Sequence, residues 1–289
     1  MNSNIIISKH KLDGVTGDRL RTLHDSPKQL YYCGVDPNDL LALPSIAIVG
    51  SRKMSPYGRA VTEKLALELA QAGVLIISGL ALGVDSAAHR MAVQVGAPTM
   101  AVMGGGLENV YPPSHAGLAE DILRGRGTLL SEYEGGMPSL PHQFIARNRI
   151  VAALADAVLV TEAAAGSGSL HTANFALDLG KPVLAVPGPI TSKLSAGCNQ
   201  LLKTGALLVT DVQDILEALH VQNKPTQLSF AGKTEEETAI LQAIAAGATE
   251  GKDLLSASKL DAATFSHTLT MLEINGRIKA LGGDMWALA

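Results

Sequence analysis

Short, continuously apolar runs alternate with helical patterns between residue 46 and about residue 220. The runs are aliphatic and β-branched with almost no polar residue inside them, which is typical of strands buried on both faces. Strands are predicted at 46–49, 74–77, 100–103, 128–130, 158–160, 183–186 and 207–209, and helices at segments such as 60–72, 86–95 and 172–179. This alternation predicts an α/β fold with a Rossmann-like, doubly wound, mostly parallel sheet.

The chain changes character on both sides of this region. Residues 1–45 are interpreted as a short polar lead-in, and the Rossmann-like domain is expected to span 46–220. Residues 221–233 are polar and are interpreted as a linker. Residues 234–289 then show three helical segments followed by two short strands around a glycine turn. Three helices closed by a hairpin predict a small C-terminal winged-helix domain.

The composition fits a folded protein whose bulk charge does not attract nucleic acid. Of 289 residues, 47% are hydrophobic and 17% are charged, and the net charge is -4. Any binding of nucleic acid must therefore come from a local cluster of cations. The two cysteines, Cys33 and Cys198, lie far apart, and no apolar run reaches the length of a membrane span. We expect a cytoplasmic protein without a membrane segment.

The first predicted strand leads into Gly50-Ser51-Arg52, just before a predicted helix. A glycine turn there would offer backbone N–H groups to an anion, and Arg52 could hold a phosphate. The alternative is an ordinary turn with solvated cations. Neither a GxGxxG fingerprint after the first strand nor a P-loop motif is present, so we expect no NAD, no ATP and no other cofactor.

The next strand ends lead into glycine-rich loops, and we interpret Gly79, Gly83 and Gly104 as structural loop residues. Asp85 and His89 lie four apart at the start of a predicted helix and share one of its faces. A metal site or an acid–base pair is conceivable there. The favoured interpretation is that Asp85 caps the helix and His89 is packed, so no metal site is predicted.

An aromatic residue followed closely by cations is the pattern that points most directly to nucleic acid. Phe144, Arg147, Asn148 and Arg149 lie near the start of a predicted helix. Binding a single strand without sequence preference needs cations for its phosphates and a ring for its bases, and these residues supply both. The alternative is an amphipathic helix with Phe144 in the core.

A second candidate anion site is formed by Ser167, Gly168 and Ser169 at the start of another helix. The alternative for this segment is a flexible helix N-cap.

Taken in order, these motifs resemble the DprA/Smf family. The motifs that carry the resemblance are Ile48-Val49-Gly50-Ser51-Arg52, residues 78–85 with Ala88-His89, Gly104-Gly105-Gly106 with Tyr111-Pro112, residues 144–149, Glu162-Ala163 with Gly168-Ser169-Leu170, and Val186-Pro187-Gly188. The resemblance implies a homodimer that binds single-stranded DNA cooperatively and helps to load RecA in natural transformation. Carried over by motif, the DNA pocket would use Gly50, Ser51, Arg52, Phe144, Arg147 and Asn148.

Two other functions remain open at this point. A nucleoside-monophosphate phosphoribohydrolase on a similar fold would need a glutamate where Thr172 stands, although Glu162 and Asp85 are further carboxylates. A winged-helix transcription regulator would need cations on its recognition helix, and the predicted helix at 261–273 has none. We therefore predict a binding protein without catalytic activity, with a tail that contacts protein or assists DNA binding weakly.

Overall fold

The computed structural model of the chain describes residues 7–10, 12–221, 234–245, 248–275 and 277–288. The chain divides into two compact units, Met1–Asn223 and Lys224–Ala289. The linker expected at 221–233 lies outside the described residues, apart from Val221.

The first unit is built on a nine-stranded sheet in which the strand order is β1-β2-β6-β5-β4-β3-β7-β8-β9. The strands are β1 (Ser8–His10), β2 (Leu30–Gly34), β3 (Ser45–Val49), β4 (Leu75–Ser78), β5 (Thr99–Met103), β6 (Thr128–Ser131), β7 (Ala157–Val160), β8 (Val183–Ala185) and β9 (Leu207–Leu208). From β6 to β9 all neighbours are parallel, whereas β2 is antiparallel to both β1 and β6. This sheet confirms the predicted Rossmann-like fold.

Helices cover both faces of the sheet. They are α1 (Gly14–Leu20), α2 (Pro37–Leu40), α3 (Pro56–Gln71), α4 (Val84–Gln94), α5 (Ala116–Arg124), α6 (Pro141–Leu154), α7 (Ser169–Asp178), α8 (Ala196–Lys203) and α9 (Val212–Ala218). Each face of the sheet packs against helices in its own hydrophobic core, and side chains of β3 alternate between the two. Ile46 and Ile48 pack in one core with Leu65 of α3, whereas Ala47 packs in the other with Ile150 of α6. Within the described chain, none of the helices combines the length and apolarity needed to cross a membrane.

The segment expected to be a polar lead-in is part of this sheet. Strand β2 pairs with β6, and β1 extends the edge by pairing with β2. Helix α1 is tied to the same unit, because Arg19 donates a 2.9 Å hydrogen bond to Ser45 and forms a 2.9 Å ion pair with Asp156. The interpretation of this segment as a lead-in outside the Rossmann-like domain is therefore wrong. Strand β2 has only Leu30 and Cys33 buried, so it lacks the continuous apolar pattern of a central strand.

The second unit contains α10 (Glu235–Ala245), α11 (Gly251–Ser258), α12 (Ala262–Ile274) and the antiparallel hairpin β10 (Ile278–Gly282) and β11 (Met285–Leu288). Its core contains Ile240 of α10, Leu254 of α11, and Phe265 and Leu272 of α12, all buried. The predicted winged-helix domain is thereby confirmed.

Candidate nucleic-acid interface

A groove of about 850 Å³ lies at the carboxyl edge of the sheet, beside the point where the strand order reverses around β3. The chain leaves β3 toward one edge of the sheet and leaves its neighbour β7 toward the other edge. This divergence opens a crevice, and ligands of doubly wound sheets bind in it. The lining residues include Gly50, Ser51, Arg52, Lys53, Asp85, Tyr111, Phe144, Arg147, Asn148, Ser167, Gly168, Ser169 and Thr172. The structure thus brings together nine of the ten residues predicted to bind nucleic acid.

The turn after β3 presents side chains to the groove more than backbone amides. The Ser51 N–H donates to the Glu162 carbonyl at 2.7 Å, and the Lys53 N–H donates to the Ser51 hydroxyl at 3.1 Å. These two amides are therefore already engaged, contrary to the expectation of an open nest. Arg52 and Lys53 are exposed, so the capacity to bind an anion rests on their side-chain charges.

Glu162 is buried beneath this turn and does not line the groove. Its carboxylate accepts hydrogen bonds from the Ser55 N–H at 2.8 Å and from the Ser55 hydroxyl. Ser55 is in turn the N-cap of α3 and accepts from the Gly58 N–H at 3.0 Å. This carboxylate joins β7 to the start of α3 and is not available to a ligand.

Arg147 forms part of the floor of the groove. It is only 4% exposed, and its guanidinium donates to the Gly79 carbonyl at 2.8 Å, to the Val102 carbonyl and to Asn148 Oδ1 at 3.2 Å. Burial lowers the pKa of Arg147 to about 10, while the nearby Asp85 carboxyl opposes part of that fall. The side chain stays charged at neutral pH, but much of its hydrogen-bonding capacity is used to join the ends of β4 and β5 to α6.

Two of the predicted loop glycines permit this packing. A Cβ atom on Gly79 would lie 2.3 Å from Arg147 Nη2, and one on Gly104 would lie 2.7 Å from Phe144 Cδ1. A third, Gly83, is the N-cap of α4 with a φ of 82°, which a side chain rarely tolerates. Gly79 and Gly104 thus leave room for the arginine and the phenylalanine ring of α6.

Phe144 is half-buried and lies between two groups of the groove. The Arg52 guanidinium carbon is 5.4 Å from the centroid of its ring, a cation–π contact. The Tyr111 ring lies on it as well, with centroids 5.3 Å apart and a tilt of 42°. The structure therefore places Phe144 at the groove, beside a cation, as the nucleic-acid interpretation requires.

Asn148 connects α6 to the start of α7. Its Nδ2 donates to the Gly168 carbonyl at 3.3 Å, while its Oδ1 accepts from Arg147. The hydroxyls of Ser167 and Ser169 are 2.8 Å apart and hydrogen-bond to each other. This segment forms part of the lining of the groove.

Arg149 is the one predicted site residue that the structure places elsewhere. Its side chain is 8% exposed and forms ion pairs with Glu132 at 2.7 Å and Asp25 at 3.5 Å. Residues two apart on a helix point in nearly opposite directions, so Arg147 and Arg149 cannot both face the groove. Arg149 instead attaches α6 to the loop after β6 and to the N-terminal segment.

Asp85 and His89 serve the packing of α4. The Asp85 carboxylate accepts from the Gly79 N–H at 3.0 Å, so it caps the preceding loop rather than the helix, whose N-cap is Gly83. Burial raises the pKa of the Asp85 carboxyl, and the Arg147 charge opposes part of that rise. His89 is fully buried with Nδ1 2.8 Å from the Thr99 hydroxyl, and burial lowers its pKa to about 3.

Sequence reasoning did not assign Tyr111, Lys53 or Thr172 to the groove, although all three line it. A signal for Tyr111 was available. The chain has only ten aromatic residues (five Tyr, four Phe and one Trp), and this one stands in the loop that follows a predicted strand end. The carboxyl ends of parallel strands meet at one edge, so an aromatic residue there was a candidate.

Family models and similar proteins all point to the same family. The chain matches the family model described as DNA recombination-mediator protein A over residues 12–220, and the DprA winged helix domain over residues 224–284. A putative DNA processing protein DprA of Mycobacterium tuberculosis is 44% identical over 201 residues, which are 70% of this chain and 51% of that protein. Protein Smf of Escherichia coli is 42% identical over 222 residues, 75% of this chain and 58% of that protein. The chain thus spans about half the length of the first of these relatives.

Two solved structures are similar as well. DNA processing protein A of Streptococcus pneumoniae has a TM-score of 0.68 at 41% identity and covers 74% of both chains. A structure of DNA processing protein A from Helicobacter pylori, described as giving insight into a unique single-stranded DNA binding mode, has a TM-score of 0.68 at 34% identity. That match covers 76% of this chain and 98% of the other. These matches confirm the resemblance drawn from the motifs.

Proposed function

The chain belongs to the DNA recombination-mediator protein A family, also called DprA/Smf, and we propose that it binds single-stranded DNA in the groove. The observation that carries the proposal is the contact of the exposed Arg52 guanidinium with the Phe144 ring, 5.4 Å from its centroid, on the wall of that groove. A cation for phosphate and a ring for a base are thereby adjacent, as non-specific binding of a single strand requires.

The groove residues divide this work between them. Arg52 and Lys53 are exposed and hold phosphate oxygens. Buried Arg147 adds positive charge from below and keeps the walls in place. The small residues of the α7 N-terminus, Ser167 to Ser169, let the strand approach the helix end closely.

We infer that the groove binds without catalysis. Thr172, which a phosphoribohydrolase would replace with glutamate, lines the groove, and a threonine hydroxyl is no general base at neutral pH. Glu162 is engaged with Ser55, which leaves Asp85 as the carboxylate among the lining residues. Release of free base from nucleoside monophosphates on incubation with the protein would overturn this inference.

The wider role follows from the family. We propose that the protein acts in the cytoplasm as a homodimer, protects incoming single strands and assists RecA loading in natural transformation and recombination. The similar Helicobacter pylori protein is described by its single-stranded DNA binding mode, which supports the DNA-binding part of this proposal. A role as a winged-helix transcription regulator is less consistent with α12, which carries no lysine or arginine.

A fluorescence titration of oligo-dT against a duplex of equal length, each at two salt concentrations, tests the proposal. We expect a clear preference for the single strand. The logarithm of the binding constant should fall linearly with the logarithm of the salt concentration, with a slope of about −0.7 for each phosphate neutralised. A preference for duplex, or no binding at low salt, would contradict it.

A further inference from the structure

We propose that Tyr111 is a second base-binding residue of the groove and takes a nucleobase on the exposed face of its ring. This inference rests on the proposed binding of single-stranded DNA. It assigns to Tyr111 the stacking role that the aromatic residue of α6 would otherwise fill alone.

The surroundings of Phe144 cover part of its ring. One edge lies so close to Gly104 that a Cβ there would be 2.7 Å from Phe144 Cδ1. The Arg52 guanidinium lies over the ring at 5.4 Å from its centroid, and the Tyr111 ring contacts it at 5.3 Å between centroids. Phe144 therefore supports the other two groups and offers a base only the part of its ring that they leave open.

Tyr111 has more free surface than Phe144. It is 50% exposed, and these two rings are the aromatic side chains among the described lining residues of the groove. A nucleobase that enters the groove thus meets the larger open aromatic face at Tyr111. Every base has a flat π-face, so this contact would suit any sequence.

The loop holds Tyr111 in place before any ligand arrives. Tyr111 is followed by Pro112, whose ring restricts the backbone, and by the short 3₁₀ turn Pro113–His115. Buried His115 anchors this turn with Nδ1 2.8 Å from the Leu80 carbonyl oxygen. A ring held in this way loses little conformational freedom when a base stacks on it.

Tyr111 also lies near the exposed cation Arg52. Arg52 and Tyr111 contact the same Phe144 ring, so they are neighbours along the groove. A phosphate bound by Arg52 and a base bound by Tyr111 can therefore belong to one short stretch of a single strand. Arg52, Tyr111 and Phe144 would then contact only phosphates and the flat faces of bases, so binding would not depend on sequence.

The test compares two strands and three variants in the full chain. The strands are oligo-dT and an abasic oligomer of equal length, which keeps the phosphates but has no bases. The variants are Tyr111→Ala, Tyr111→Phe and, as a matched control, Tyr57→Ala. Tyr57 is 43% exposed but lies outside the groove, where its hydroxyl donates to the Pro187 carbonyl at 2.7 Å.

We expect Tyr111→Ala to lower the affinity for oligo-dT about tenfold, because the loss of one stacked base has roughly this effect. Tyr111→Phe keeps the ring, and Tyr57→Ala leaves the groove intact, so both should bind oligo-dT like the unmodified protein. The abasic oligomer should bind equally well to the unmodified protein and to Tyr111→Ala, with the same dependence on salt.

Two results would overturn the assignment. If Tyr111→Ala bound oligo-dT as well as the unmodified protein does, the ring would have no part in binding. If the variant lost affinity equally for oligo-dT and the abasic strand, Tyr111 would only support the loop. If the unmodified protein did not prefer single strands at all, the proposed function itself would be wrong. The titration of the unmodified protein shows this without any variant, so the two failures can be told apart.

Discussion

The groove and the exposed face of α12 are both places where a DNA-binding protein could hold its ligand, and they differ in charge. The groove has two exposed cations, Arg52 and Lys53, beside two aromatic rings. Helix α12 occupies the position of a recognition helix, yet it contains no lysine or arginine and ends in exposed Ile274, with Met271 also exposed. Over residues 250–289, four cations stand against five acids.

This difference shows that a fold alone does not determine what is bound. A winged helix can read duplex DNA only if its surface neutralises phosphates, and α12 lacks the side chains for that task. In the other unit, three cations (Arg52, Lys53 and Arg147) line one groove although the chain has a net charge of -4. The sign of the charge at the site, and not that of the whole chain, decides the partner.

The largest expected effect concerns the floor of the groove. Arg147→Ala would leave the Asp85 carboxyl buried without its neighbouring cation and remove the bonds to the Gly79 and Val102 carbonyls. We expect the free energy of unfolding to fall by about 3 kcal/mol, because each buried carbonyl oxygen that loses its donor costs roughly 1–3 kcal/mol. Urea denaturation followed by circular dichroism measures this change.

The control for that measurement is Arg52→Ala, which truncates an exposed cation of the same groove. This change should lower the free energy of unfolding by no more than about 1 kcal/mol, the contribution of an exposed cation–π contact. Similar losses in the two variants would mean that burial does not separate the roles of Arg52 and Arg147.

The next effect separates the two units by their response to acid. Buried His89 has a pKa of about 3 against an ordinary value of 6.5, so the unfolded state binds a proton that the folded state does not. Its contribution to stability is present above pH 6.5 and is lost as the pH falls toward 3, by about 1.4 kcal/mol per pH unit. Urea denaturation at pH 7, 6 and 5 should show this slope in the first unit.

Two histidine variants identify the source of that slope. His89→Gln should flatten it between pH 6.5 and 5, whereas His267→Gln, a change on the exposed face of α12, should leave it unchanged. The single tryptophan, Trp286, lies in the second unit and reports its unfolding separately. An equally steep slope in the His89 variant would assign the acid sensitivity to other groups.

The smallest effect tests the charges of the two regions directly. Arg52→Glu should lower the affinity for oligo-dT by about tenfold or more, close to 1.4 kcal/mol, because it replaces a phosphate contact with a repulsion. Lys279→Glu makes the same charge change on the exposed hairpin of the second unit and should alter the affinity by less than about twofold. Equal losses would show that the winged-helix unit shares the DNA, and the comparison would fail.

Much of the site could be predicted from the order of residues, but not its geometry. The strand ends at Gly50 and the motif at Phe144 were correctly expected to share one edge of the sheet. Arg147 and Arg149 look alike in the sequence, and yet α6 turns one toward the groove and the other toward Glu132. Tyr111 was not assigned to the groove, since its ring contacts Phe144, which lies 33 residues further along the chain, and no local pattern shows that contact.

Residue patterns alone predict the alternation of strands and helices, the winged-helix tail and the edge of the sheet at which the site lies. Those features depend on patterns of burial within short segments, which repeat at the period of a strand or a helix. The folded structure is needed to show that Arg147 is a buried support, that β2 joins the sheet and that Arg52 and Tyr111 both contact Phe144. Those contacts join residues far apart in the chain, so they follow from how the strands line up and not from any local pattern.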